Sequence, residues 1–252
     1  MDNDLIIGSK VLHLDRVNST NEYLKELKNV ENLKNGFTIA AAEQTAGKGY
    51  HNSKWDSEPN RNIILSFIIY PDFLLAQNQF FLSKIVSLAV LDYLSESTKM
   101  QDFVVKWPND IYYKSQKIAG ILIENSVKGE YLSDSIIGIG LNINQKKFSS
   151  ILANPISLKN ITNLDYIIDI EINKLIAALN NRYKQLIKQN FDDINRDYLN
   201  NLFQLNKWAL YKSGELEFNG KITGVNEFGF LEMLSESEVL NTYNFKEVEF
   251  VF

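Results

Sequence analysis

The sequence predicts an α+β protein: a mixed β-sheet with flanking helices over residues 1–205, then a small all-β unit over residues 206–252. Three observations predict it. Asn62 to Tyr70 is an almost continuous apolar β run, as expected of a strand covered on both faces. Ile172, Leu175, Ile176, Leu179, Tyr183, Leu186 and Ile187 keep a clean 3–4 spacing, which marks a long helix with one apolar face. From about Asn206 the texture changes to short apolar runs between close turns, the pattern of a small β-barrel.

The remaining elements follow in order. Lys10 to Val17 reads as a strand carrying His13. Ser19 and Glu22 stand three apart, the pattern of a reciprocal helix cap, and Leu24, Leu27 and Val30 continue at helical spacing until Gly36 offers a stop. Phe37 to Ala42 is a compact apolar strand, and Gln44 to Lys54 a polar, glycine-bearing loop. Phe81, Ile85, Leu88 and Ala89 mark one face of a helix from about Ala76 to Ser95. Strands are expected near Phe103–Lys106, Ile111–Tyr113, Lys117–Glu124 and Tyr131–Leu141, and a shorter helix around Asp192–Phe203. In the tail, Ser213-Gly214, Asn219-Gly220 and Phe228-Gly229 read as turns.

Composition narrows the function classes. A chain of 252 residues makes between one and two domains. Its net charge of −5 weighs against a nucleic-acid binder, which needs a concentrated basic face. The absence of cysteine excludes a disulfide scaffold, thiolate metal sites and a cysteine nucleophile. Two histidines, His13 and His51, are too few for most histidine metal cages, and neither has a partner at ligand spacing. No signal-peptide pattern opens the chain, and no apolar run approaches the ~20 residues of a membrane helix. The expectation is a soluble, cytoplasmic protein with no membrane or DNA partner. Only four of the 26 basic residues are arginine, so an anion site must lean on lysine and backbone N–H groups.

Four segments can carry chemistry. Gly47-Lys48-Gly49, directly after a strand, lets backbone N–H groups and one ammonium approach an anion, although a plain hairpin loop with an incidental lysine weighs equally. Downstream, Trp55 reads by itself as a packing anchor, with Lys54 turning aside next to it. Lys106-Trp107-Pro108-Asn109-Asp110 places a cation and a carboxylate around a tight turn, whose bland alternative is a turn with Trp107 in the core. Lys117 opens the apolar strand Ile118-Ala119-Gly120-Ile121-Leu122. Alternating Gly138 and Gly140, ahead of Asn142, mark close approach by a ligand or another backbone.

Taken in order, Ser19-Thr20-Asn21, Gln44…Gly47-Lys48-Gly49…Trp55, Lys106-Trp107-Pro108-Asn109-Asp110, Lys117-Ile118-Ala119-Gly120-Ile121-Leu122 and Gly138-Ile139-Gly140-Leu141-Asn142 closely resemble the biotin–protein ligase family. The resemblance spans Leu12 to Asn144 by motif and the whole chain in layout. It implies a class II synthetase-like catalytic domain followed by an SH3-like barrel, and an ATP-dependent, AMP-forming biotin–[acetyl-CoA-carboxylase] ligase. Such an enzyme makes biotinyl-5′-AMP from biotin and MgATP, then passes biotin to a lysine of a biotin carboxyl carrier protein. By the same resemblance, Lys48 and Lys117 are the catalytic cations. Ser19, Thr20, Asn21, Gln44, Lys48, Gly49, Tyr50 and Lys117 contact biotin, and Gly47, Trp55, Asn109, Asp110 and Asn142 contact ATP or the adenylate. Asp110 is the implied Mg²⁺ ligand.

Two departures stand out. Tyr50, Asn52 and Ser53 occupy loop positions where the family usually has glycine and further arginines, so Lys48 is the one cation within Gly47–Ser53. Only 18 residues precede Ser19, too few for the DNA-binding domain that some members carry, and the expectation is a ligase without repressor function. The rival readings are a lipoate–protein ligase or octanoyl transferase of the same fold and a non-catalytic biotin- or carrier-binding module. Edge strands in both units leave a homo-oligomer open.

Overall fold

The computed structural model describes residues 6–49, 54–149 and 154–251. Lys10–Val17 (β1) and Phe37–Gln44 (β2) pair in parallel, joined through the helix Thr20–Val30 (α1). Every other ladder between the strands named here is antiparallel. Ile63–Ile69 (β3), Phe103–Lys106 (β4), Asp110–Tyr113 (β5), Gln116–Lys128 (β6) and Tyr131–Leu141 (β7) complete a seven-stranded mixed sheet in the order β1-β2-β3-β7-β6-β5-β4.

Alternation along the central strands decides which face does what. Ile63, Leu65, Phe67 and Ile69 of β3 and Ile137 and Ile139 of β7 point into the large core. The helices Phe80–Thr98 (α2), Ile168–Ile187 (α4) and Phe191–Asn200 (α5) build that core. Ile68 and Ile136 point the other way, into a smaller cluster with Leu24 of α1, Leu33, Phe37 and Ile39. Ser66, Gly138 and Gly140 share this second face, which α1 covers only in part. The space left beside α1 is the site described below.

Several sequence expectations need correction. Ser19 does occupy the N-cap of α1, but its side chain makes no capping bond, and Glu22 pairs with Lys25 and Lys48 rather than closing a capping box. The helix ends at Val30, and Gly36 heads β2 with φ +79, where a side chain would run into the Ile6 carbonyl. A 3₁₀ turn, Ala76–Asn78, precedes α2, which runs on to Thr98. A short helix Leu158–Thr162 (α3), with a Ser157–Asn160 capping box, went unanticipated.

Residues beyond Leu205 form a five-stranded antiparallel sheet, order β11-β10-β9-β8-β12. Its strands are Trp208–Ser213 (β8), Leu216–Val225 (β9), Leu231–Ser235 (β10), Leu240–Tyr243 (β11) and Glu249–Phe250 (β12). The order ends at β11 and β12, and this antiparallel unit is consistent with the SH3-like domain expected of the tail. Ser213 ends β8 with Gly214 in the turn after it, and Phe228-Gly229 lies between strands, whereas Asn219-Gly220 falls inside β9, where Gly220 makes room for Met233 and Tyr211.

The two sheets are knit by aromatic contacts. The Trp107 indole N–H donates to the Gly229 carbonyl at 2.9 Å, and the Phe245 ring lies 5.2 Å from Trp107 and 6.2 Å from Phe80. Trp107 is therefore the core residue its bland reading implied. Among the described residues no helix is long and apolar enough to cross a membrane.

Candidate active site

A cavity of about 580 Å³ opens on the α1 face of the seven-stranded sheet. One end is neutral and polar. Ser19, Thr20 and Asn21, all buried, enter it from the start of α1. Gln44 leaves the end of β2, and its Oε1 accepts from the Thr20 backbone N–H at 2.7 Å and the Thr20 hydroxyl at 3.0 Å. The Ser66 hydroxyl lies 2.6 Å from Thr20 Oγ1 and 2.7 Å from Asn21 Oδ1, so one proton serves two acceptors. Asn21 Nδ2 donates to Glu124 at 2.9 Å, which fixes the orientation of its amide.

Glycine makes this floor possible. A Cβ on Gly138 would run into Asn21 Oδ1, and one on Gly140 into the Trp55 ring. The alternating glycines thus admit an amide and an indole rather than a second backbone.

The other end is charged. Asp110 heads β5, and a register shift between Ile111 and Tyr112 sets Lys117 opposite Tyr112. The Lys117 ammonium reaches Asp110 at 2.6 Å and stands 5.9 Å from the Trp55 ring centre. Lys48 and Gly49 line the rim, where Lys48 pairs with Glu22 at 3.1 Å. Two lysines hold the Glu22 carboxyl below its ordinary value, Lys25 first and Lys48 second. Asn109 donates its amide to the Ile121 carbonyl at 2.6 Å. Among the described residues no group of three or more His, Cys, Asp or Glu side chains gathers around a metal position.

The cavity therefore brings together Ser19, Thr20, Asn21, Gln44, Lys48, Gly49, Trp55, Asn109, Asp110 and Lys117. Two expected residues stand just outside its lining. Gly47 packs under Gln44 and accepts from the Trp55 backbone, and Asn142 is buried with its amide donating to the Ile156 carbonyl at 3.0 Å. Tyr50, like His51, Asn52 and Ser53, lies outside the described residues. Lys54, expected to turn aside, lines the cavity.

Sequence reasoning named Lys106 only as the cation of its turn motif and passed over the other contributors. Lys106 reaches the cavity beneath Phe250, 4.4 Å from that ring, and burial holds its ammonium below the ordinary lysine range. Lys246, Val248, Glu249 and Phe250 wall the cavity from the second sheet. Ser66 and Glu124 brace Asn21. A serine inside an apolar strand and a glutamate closing the Lys117–Glu124 run were the available signals.

Residues 13–142 match the model of the Biotin/lipoate A/B protein ligase family. The chain belongs to this family. Its ligase relatives include the bifunctional ligase/repressor BirA of Bacillus subtilis (strain 168), 26% identical over 246 residues, covering 95% of this chain and 74% of the relative. The biotin–[acetyl-CoA-carboxylase] ligase of Paracoccus denitrificans is 28% identical over 226 residues, covering 86% of this chain and 91% of its own. The biotin protein ligase from Aquifex aeolicus, solved in complex with biotin and ATP, superposes with a TM-score of 0.81 at 26% identity, covering 96% of this chain and 100% of that one. The ligase family thus supplies both the motif order and the fold.

Proposed function

We propose that the chain is an ATP-dependent biotin–protein ligase that forms biotinyl-5′-AMP and transfers the biotinyl group to a lysine of a biotin carboxyl carrier domain, of acetyl-CoA carboxylase or a related enzyme, in the cytoplasm. One observation carries it: a single cavity joins a neutral hydrogen-bonding end at Ser19, Thr20, Asn21 and Gln44 to a charged end at Lys48, Asp110 and Lys117. The first suits a neutral cyclic urea and the second suits two anions. Relatives named biotin ligases support the same reading.

In this reading Ser19, Thr20, Asn21 and Gln44 orient biotin, while Lys48, Gly49 and Tyr50 cover its carboxylate. Trp55, Gly47 and Asn142 support the nucleotide. Adenylation brings a carboxylate oxygen to the α-phosphorus and expels pyrophosphate, so the task is charge neutralisation and positioning. Lys48 and Lys117 supply the cations. Asp110, beside Asn109, is an oxygen donor of the kind Mg²⁺ takes alongside substrate phosphates, and the ion would add charge neutralisation there. The carrier lysine amine then bonds to the acyl carbon and AMP departs. No enzyme nucleophile is needed, in keeping with a chain that has no cysteine.

The test is to incubate the protein with MgATP, a carrier domain and either biotin or lipoate, and to weigh the carrier. A gain of one biotinyl group is expected. An unmodified carrier with biotin, or modification by lipoate alone, would overturn the assignment.

A further inference from the structure

Two of the lysines lining the cavity, Lys117 and Lys48, are held by carboxylates, and in different ways. Lys117 and Asp110 form a close pair with side chains 30% and 19% exposed, whereas Lys48 and Glu22 form a looser pair, 56% and 35% exposed. Glu22 also has a second partner. Lys25 lies 3.0 Å from the same oxygen and is itself anchored to Glu124, whose other oxygen accepts from Asn21. The Lys48 backbone bridges to Lys54, so an exchange of partners falls to its long, flexible side chain.

We propose that Glu22 is a latch for Lys48, a positioning residue that holds the loop ammonium and yields it to the ligand's carboxylate. The inference rests on the biotin ligase reading and adds to it a residue that the family motifs do not use. Three features make the latch easy to open. An exposed ion pair contributes little, whereas a carboxylate inside the cavity meets Lys48 with less intervening water. Glu22 keeps Lys25 when Lys48 leaves, so no carboxylate is stranded. The Lys25–Glu124–Asn21 chain ties the latch to the floor on which the neutral ring would sit. Lys117 has no such alternative arrangement, because Asp110 stands beside it at the reaction centre.

The experiment compares binding of biotin with binding of its alcohol, in which CH₂OH replaces the carboxylate, by calorimetry in low salt. Wild type, Glu22→Gln, Lys48→Met and the double variant are measured. Glu22→Gln frees Lys48, so biotin is expected to bind about two- to fivefold tighter and the alcohol unchanged. In the Lys48→Met background the same substitution should move biotin no more than the alcohol. The latch is wrong if Glu22→Gln leaves biotin unchanged or weakens it, tightens both ligands alike, or acts equally without Lys48. If wild type binds neither ligand, the ligase reading itself fails and the latch falls with it; if both bind, the four-way comparison judges the latch alone.

Discussion

At the scale of single residues, charge and a missing Cβ carry the site. Lys117→Gln, one atom shorter, keeps a polar N–H donor but removes the ammonium that pairs with Asp110, so adenylate formation should fall on the order of 10²–10³-fold. Pyrophosphate release from the folded variant measures this, and a near-normal rate would remove Lys117 from the chemistry. Gly138→Ala tests the floor instead. The added methyl must displace the Asn21 amide that Ser66 and Glu124 hold, so KM for biotin should rise roughly tenfold or more while KM for ATP stays close to wild type. Equal changes in both would mean that the substitution disturbs the whole sheet. These residues were legible in the sequence because their types are unusual where they stand: paired glycines in a strand, a lysine at an apolar strand's mouth. Glu22 was legible only as a helix-capping residue, since a local pattern says nothing about a lysine 26 positions away.

At the scale of elements, α2 and α5 enclose an ionisable group that the site does not use. Lys84 is only 3% exposed, donates to Asn195 at 2.7 Å and faces the rings of Phe80, Phe81 and Tyr198 within 5.7 Å. Burial lowers its pKa from 10.5 to about 8. Between those values the unfolded chain binds a proton that the folded chain has shed, so stability rises with pH there; below pH 8 the penalty of the buried charge is full. The slope due to this residue should reach up to about 1.4 kcal/mol per pH unit. Denaturant titrations between pH 8 and 9.5, below the ordinary tyrosine range, should show the slope in wild type and lose it in Lys84→Met. An unchanged slope would mean that the ammonium keeps its water. The strands and long helices were readable because alternation and 3–4 spacing are local. The register shift in β5–β6, the interior position of Gly220 and the true end of α1 depend on what packs against them, which periodicity does not encode.

At the scale of the molecule, the two sheets share an aromatic seam, Trp107 and Phe80 against Phe245. Phe245→Ala should therefore cost roughly 2–3 kcal/mol, less than a fully buried phenylalanine, and lower a single unfolding transition seen alike by near- and far-ultraviolet dichroism. Two separated transitions would show that the sheets melt independently. The second sheet's existence was plain from its turns, but its part in the cavity was not, because nothing near residue 250 resembles a binding motif. That wall has a consequence for how the protein comes into being. The floor is laid down by residues 19–21 and the last wall by residues 246–250, far apart along the message. A ribosome must therefore deliver residues 246–250 before the cavity can close. A nascent chain short of them has Lys48 and Lys117 but not the enclosure, and a reactive acyl phosphate has nowhere dry to form until they emerge.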